Sequence, residues 1–241
     1  MNLHAVQKRS LPDKVFEQLL AQIVSGRYEP GATIPPEREL SEVLGVNRHV
    51  VREALKRLQQ MGLVRVVQGG GTKVLDFRRT AGLDLLAVLA DHAEAVEQLL
   101  PLLVAALETR TGIGVEVSRL CAERSGREVG EELLAIGEEL AAVAHGPELL
   151  PLDERFWRVV LDGAGNLAYQ LAFNSLLRAV HARVDFSVPW LEQELARGDY
   201  RRPIAAAIAS SDPEAAARAT REALSAPPDS LSLDHARRTS R

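Results

Sequence analysis

The stretch from Ile34 to Val74, IPPERELSEVLGVNRHVVREALKRLQQMGLVRVVQGGGTKV, constrains this chain more than any other part of it. Pro35 and Pro36 suit only the first turn of a helix, and Glu37 and Glu39 set negative charge at its positive end. Leu40, Val43 and Leu44 supply an apolar face, and Gly45 stands where a left-handed residue ends such a helix. Asn47 then caps a second helix, Arg48 to Met61, with Val51, Ala54, Leu55 and Leu58 at helical spacing on one side. Arg48, His49, Arg52, Lys56 and Arg57 fall largely on the other. The run Leu63 to Val67, the turn Gln68-Gly69-Gly70-Gly71 and the return Thr72 to Leu75 read as a hairpin. Helix, tight turn, helix and glycine-tipped hairpin together outline a winged helix-turn-helix.

Such a pattern puts the start of the second helix where it can enter a DNA major groove and the hairpin where it can reach the neighbouring minor groove. An arginine there can make two hydrogen bonds to guanine O6 and N7, which suits Arg48, whereas Lys56 and Lys73 are placed for phosphates. A row of charges on an amphipathic helix is by itself only a solvated face. The cap, turn and wing in this order favour the nucleic-acid reading.

Charge sharpens the point. The chain of 241 residues carries a net −4, which alone argues against nucleic acid. Residues 1–78 nevertheless hold 12 Lys or Arg against 8 Asp or Glu, a net of +4, while 79–241 hold 17 against 25, a net of −8. Only the first part favours phosphate, and the asymmetry suggests a nucleic-acid module joined to a domain of another kind. With 46% hydrophobic residues the chain has material for two cores. Its single cysteine, Cys121, excludes a disulfide framework and any multi-cysteine zinc site, and is expected to be a buried thiol. No secretory leader and no membrane-length apolar run is evident, so a cytoplasmic protein that does not enter a membrane is expected.

A first helix, Leu11 to Ser25, with Val15, Leu19 and Ile23 on one side, completes a three-helix core over residues 1–75. Residues 76–82 read as a polar linker. From 83 to 225 the sequence is rich in Ala and Leu with helical period and without strand signals, which predicts an all-helical bundle. Its helices are expected near 83–90, 93–109, 115–124, 129–144, 148–161, 167–185, 190–196, 203–209 and 214–224. The breaks expected between them include Thr111-Gly-Ile-Gly114, Ser125-Gly126 and His145-Gly-Pro147. Residues 226–241, with Pro227 and Pro228, read as a mobile tail. The fold class is therefore mainly α: an N-terminal winged helix-turn-helix with a two-stranded β wing, plus a C-terminal all-α bundle.

In the bundle, Phe156, Trp157, Tyr169, Phe173 and Leu177 lie on two neighbouring predicted helices in a chain with 4% aromatic residues. They are either plain core or the lining of an apolar pocket. His92, His145 and His181 sit on separate elements and read as surface or core histidines. There is no G-x-S-x-G elbow and no base assigned to Cys121, so catalysis is not expected.

Pro-Glu-Arg-Glu-Leu, Leu-Gly-Val-Asn-Arg, Val-Arg-Glu-Ala-Leu-Lys-Arg-Leu and Gly-Gly-Gly-Thr-Lys-Val resemble the DNA-binding domain of GntR-family transcription regulators. Carried over position by position, the family's base and phosphate contacts fall on Arg38, Asn47, Arg48, His49, Arg52, Gln68 and Gly69. Asn47 stands where Ser or Thr is usual, and Gln68 where His or Arg is common. The second domain resembles the helical effector domain of the FadR subfamily, most of all its fatty-acid-responsive type, through Thr72 to Phe77, Ala81 to Ala90, Leu107-Glu-Thr-Arg-Thr111, Trp157-Arg158 and Gly165-Asn166.

That resemblance implies a double-stranded DNA operator, a homodimer and a small apolar effector, a fatty acyl-CoA or fatty acid. It also makes Arg110 and Asn174 polar anchors and Leu107, Trp157, Tyr169, Phe173 and Leu177 the apolar lining. Many relatives hold a divalent metal through an Asp and three histidines. Here Asp153 remains, but Trp157, Arg201 and Ala223 stand at the histidine positions, so neither metal nor cofactor is expected. Pro227-Pro228 departs from the fatty-acid-responsive pattern, which continues a helix there. A small-organic-acid sensor, a helical domain that only dimerises, and an acyl-thioester enzyme fused to a DNA-binding domain are the alternatives.

Overall fold

The computed structural model describes residues 10–92, 96–143, 146, 148–182, 192, 194 and 201–224. They form two compact units, 1–85 and 86–241.

The first unit opens with α1 (Leu11–Val24), started by a reciprocal cap in which Ser10 and Asp13 satisfy each other's backbone N–H. Its Val15, Phe16, Leu19, Leu20 and Ile23 are buried. After β1 (Thr33–Ile34) come α2 (Glu37–Leu44) and α3 (Arg48–Gln60). Gly45 ends α2 in the left-handed conformation at φ 65°, and the Asn47 side chain caps α3 by accepting from Val50 N at 3.0 Å. α3 buries Val50, Val51, Ala54, Leu55 and Leu58 against α1 and α2. In α2 only Leu40 is buried; Val43, expected on its apolar face, is 77% exposed. A helix of eight residues contributes little more than one anchor to the core.

The wing strands are β2 (Val64–Val67) and β3 (Gly71–Val74). The sheet has three strands in the order β1-β3-β2, all antiparallel, because Thr33 and Ile34 pair with Lys73 and Thr72. The two-stranded wing is thus extended by a third strand that secures its base. Residues 76–82, expected as a linker, carry a short helix, α4 (Phe77–Thr80), capped by Asp76. Thr80 Oγ1 donates to Gly62 O at 2.6 Å, and a Cβ on Gly62 would lie 2.4 Å from Thr80 O. This close approach fastens the segment to the first unit, so it does not hang free.

The division of the chain falls at the start of α5 (Leu85–Asp91). The second unit is organised around α6 (Val96–Ala142), whose 47 residues reach about 70 Å end to end. Three separate helices were expected across this span, with breaks at 111–114 and 125–126. The helix is continuous, and three of its glycines, Gly114, Gly126 and Gly130, sit where other helices come close. A Cβ on Gly114 would stand 2.9 Å from Leu224, one on Gly126 2.3 Å from Ile208 O, and one on Gly130 2.6 Å from the Ala209 Cβ. These neighbours belong to α9 (Arg201–Ala209) and α10 (Pro213–Leu224), which pack along α6. Thr111 Oγ1 donates to Leu224 O at 3.1 Å, satisfying a carbonyl at the end of α10.

α7 (Leu149–Ala164) and α8 (Leu167–Ala182) complete the unit, separated by Gly165 at φ 59°. Ile113, Val117, Leu120, Cys121, Leu133, Ile136 and Leu140 of α6 are buried, and α7 packs along that helix. The expected helix over 190–196 lies mostly outside the described residues, although Glu192 and Glu194 are helical. The tail 226–241 and His145 lie outside them altogether. No helix among the described residues is long and apolar enough to cross a membrane.

Candidate functional site

In the first unit the residues expected to meet nucleic acid divide by what holds them. Arg48 and His49 are exposed in the first turn of α3, and neither has an ion-pair partner among the described residues. Arg52, one turn on, gives Nε at 3.2 Å and Nη2 at 2.9 Å to the Glu37 carboxylate, which ties α3 to α2. That hydrogen bond, set against partial burial, holds Glu37 below the usual carboxylate range. Lys56 pairs with Glu53 at 2.8 Å and Arg38 with Glu42 at 3.6 Å, both on the surface. Asn47 has its side-chain oxygen engaged in the cap of α3. Arg57 turns away from this row: it pairs with Asp13, and its guanidinium lies 4.2 Å over the Phe16 ring, so it braces α3 on α1.

Gln68 and Gly69 form the exposed wing tip, where Gly69 and Gly71 take φ of 72° and 74°. Gly70 N closes the turn on Val67 O at 2.9 Å. Lys73 donates to Thr33 Oγ1 and stands directly opposite Arg65 in the sheet. Directly paired residues of an antiparallel ladder share a face, and two like charges there repel. Arg65 was not singled out from sequence; the signal was available in the register that the glycine turn imposes.

In the second unit Arg110, Ile113, Gly114 and Val117 of α6, Trp157 of α7 and Phe173 of α8 line one cavity of about 10 Å³. That is room for one water molecule. Of the seven residues expected to receive an effector, Arg110, Trp157 and Phe173 are brought together here. Leu107, Tyr169, Asn174 and Leu177 are half-buried and do not line it. Phe156 is buried edge-on to Trp157, with ring centroids 5.6 Å apart.

Beside the cavity four charges are gathered. Arg110 makes two hydrogen bonds to Glu194, at 2.8 and 3.1 Å, and lies 3.8 Å from Asp153. Arg201, fully buried, gives its Nε to Asp153 at 2.9 Å and has Nη2 3.6 Å from Glu194. Burial opposes the charge on Arg110, but the Glu194 and Asp153 carboxylates outweigh it and raise its pKa. Arg110 also sits 5.9 Å from the centre of the Trp157 ring. The indole N–H of Trp157 is buried and meets no hydrogen-bond acceptor among the described residues.

This arrangement does not fit a metal ion. Asp153 is engaged by a guanidinium, which cannot ligate, and no group of three His, Cys, Asp or Glu among the described residues could hold one. His92 lies 3.8 Å from Asp91, and exposed His181 lies 3.4 Å from Glu154. The Cys121 thiol is pushed up to about 12 by burial and faces Gly163, so it is no nucleophile.

Comparison with known proteins follows the same division. Residues 11–74 match the gntR family of bacterial regulatory proteins, and residues 105–226 match the FCD domain. The chain is 36% identical over 228 residues to the HTH-type transcriptional regulator Mce2R of Mycobacterium tuberculosis, covering 93% of this chain and 92% of the relative. It is 36% identical over 170 residues to the fatty acid metabolism regulator protein of Escherichia coli, covering 70% and 68%. The solved structure of Lar, which controls expression of the Listeria monocytogenes agr system, shares the fold. It aligns with a TM-score of 0.53 at 20% identity over 97% of this chain and 99% of that one.

Proposed function

The chain belongs to the GntR family of bacterial regulatory proteins and is a DNA-binding transcription regulator, not an enzyme; from that premise we propose that it is a cytoplasmic repressor released from its operator by an apolar acid. Two copies would read a pseudo-palindromic site, one half-site each, with the spacing set by the two-fold axis of a homodimer. Arg48 reads a base, helped by Asn47 and His49. Arg38, Arg52, Lys56 and Lys73 meet phosphate, and Gln68 and Gly69 enter the minor groove. The effector is a fatty acid or fatty acyl-CoA, and neither a metal nor a cofactor takes part.

The observation that carries the effector reading is the cavity itself: apolar walls from Trp157, Phe173, Ile113 and Val117 with one cationic side chain, Arg110, at its edge. Few polar groups on an apolar wall is how small-ligand sites fix orientation. A relative that regulates fatty acid metabolism supports the same choice. Its small volume means that a ligand enters by displacing side chains, which supplies the differential affinity that a switch requires. The same tight packing favours one other reading, a bundle that only dimerises.

The deciding experiment measures thermal stability and operator affinity of the purified protein against free fatty acids, acyl-CoAs and small carboxylates, with and without divalent metal. Stabilisation by a long-chain acyl ligand together with operator release is the expected result. A response only to small acids or to metal overturns the apolar-acid reading, and no response at all favours dimerisation alone.

A further inference from the structure

One face of the wing sheet is core: Ile34, Val64 and Val74 are each at most 2% exposed. Side chains alternate along a strand, so their neighbours Thr33, Arg65 and Lys73, one on each of the three strands, share the opposite face. The register sets these three in a row across the sheet, Thr33 beside Lys73 and Lys73 beside Arg65. Elsewhere in the winged unit Arg38, Arg52, Lys56, Arg57 and Arg79 each have a carboxylate within 3.6 Å. Arg65 and Lys73 have none among the described residues. The Lys73 ammonium donates instead to Thr33 Oγ1, on the side of β3 that faces away from Arg65.

Like charges directly opposite each other cost a sheet stability, and their Cβ atoms stand about 5 Å apart. That spacing lets a guanidinium and an ammonium close on a single anion, the first as a planar fork and the second as a point charge. We propose that Arg65 and Lys73 form a phosphate site on the outer face of the wing, filled by a backbone phosphate of the DNA beside the groove that the wing tip enters. Thr33 positions the Lys73 head. The site grips phosphate oxygens and no base, so it adds salt-dependent affinity on any sequence. This rests on the wing reading above and extends it to Arg65 and to the outer face of the sheet. In the free protein the two cations oppose each other, and the phosphate supplies the missing counter-charge. Stability and DNA affinity therefore respond in opposite directions when Arg65 is changed, which a residue that only supports the fold would not produce.

Full-length wild type, Arg65→Thr, Arg65→Glu and Gln68→Ala are compared by fluorescence anisotropy on a selected operator and on an unrelated duplex of equal length, through a salt series. Thermal unfolding without DNA is measured alongside. Arg65→Thr is expected to weaken both duplexes by the same factor, about 4-fold at low salt, and to make the slope of log affinity against log salt shallower by ~1. Its unfolding midpoint should rise, since the repulsion is gone and threonine suits a strand. Arg65→Glu places a carboxylate opposite Lys73, so the slope should become shallower by ~2 and the midpoint should again exceed that of the wild type.

An unchanged slope overturns the phosphate site, and so does a loss confined to the operator, which would make Arg65 a base reader. Stability and affinity falling together would assign the pair to the fold and overturn the proposal as well. Gln68→Ala separates this failure from failure of the wing reading. If the tip variant loses affinity and the Arg65 variants do not, the wing stays on the DNA and only the phosphate site is removed; unchanged binding in all three takes the wing off the DNA altogether. Should Arg65→Glu fail to fold, the slope and midpoint of Arg65→Thr decide.

Discussion

The two units of this chain differ in whether they take charge into the interior. The winged unit carries its ion pairs on the surface: in Arg52 with Glu37, Lys56 with Glu53 and Arg38 with Glu42 the basic partner is exposed and the carboxylate half-buried to exposed. The helical unit brings Arg110, Asp153, Glu194 and Arg201 into its interior, beside a cavity no larger than a water. Exposed pairs contribute about 0–1 kcal/mol each and are readily exchanged for another partner, as suits a surface that meets phosphate. A buried charge, by contrast, is costly to leave without the group that neutralises it.

The contrast is broken or sharpened first at Arg201. Replacing this buried side chain by Met strands Asp153, and chemical unfolding should show a loss of about 3–5 kcal/mol. Pairing that change with Asp153→Leu should restore part of it, because the carboxylate that lost its Arg201 hydrogen bonds is removed as well. A loss no larger than that of a surface pair would erase the distinction between the units. Next in size, Arg48→Ala should lower affinity for a selected operator by about 1–3 kcal/mol, with unfolding unchanged and salt-sensitive nonspecific binding retained. Unaltered operator affinity would remove Arg48 from the interface.

Arg52→Ala should shift unfolding far less than the Arg201 change, since the arginine is exposed and its pair with Glu37 is screened by solvent. Operator titrations of the same variant show whether Arg52 also reaches phosphate. The smallest effect is on pH. Hydrogen bonds from Ser10 and from Arg52 hold Asp13 and Glu37 below their ordinary values of 3.8 and 4.5. Carboxylates depressed in the folded state contribute fully above those values and lose that contribution as pH falls through the lower folded ones. Acid unfolding of Arg52→Ala should therefore have a shallower slope below pH 4.5 than the wild type.

What could be read in the sequence was what neighbours along the chain decide. Gly45, Asn47 and the glycine turn after Val67 are local punctuation, and the winged unit formed around them. In the bundle the same residue type misled. Gly112, Gly114 and Gly126 read as breaks from sequence, but a glycine inside a helix and one past its end look alike until the partner helix is known. Glycine costs a helix about 1 kcal/mol, and at Gly114 and Gly126 the close approach of α10 and α9 offsets it. The charge cluster was hidden for a related reason. Arg201 finds Asp153 at a sequence distance of 48 and Arg110 finds Glu194 at 84, which no periodicity reports. Arg57 was read with the basic face because its partner Asp13 lies 44 residues away.

The glycines of α6 also set how this sequence can change with time. Any side chain at Gly126 or Gly130 runs into the backbone and small residues at the end of α9. Enlargement on one helix is then open only after a retreat on the other, and overpacking such a seam is destabilising. Variation should enter these positions as matched pairs, while the solvent side of the same helix drifts freely. A saturation library scored for folding would show that seam as a row of intolerant sites, one or two turns apart, along a helix otherwise permissive on its outer face.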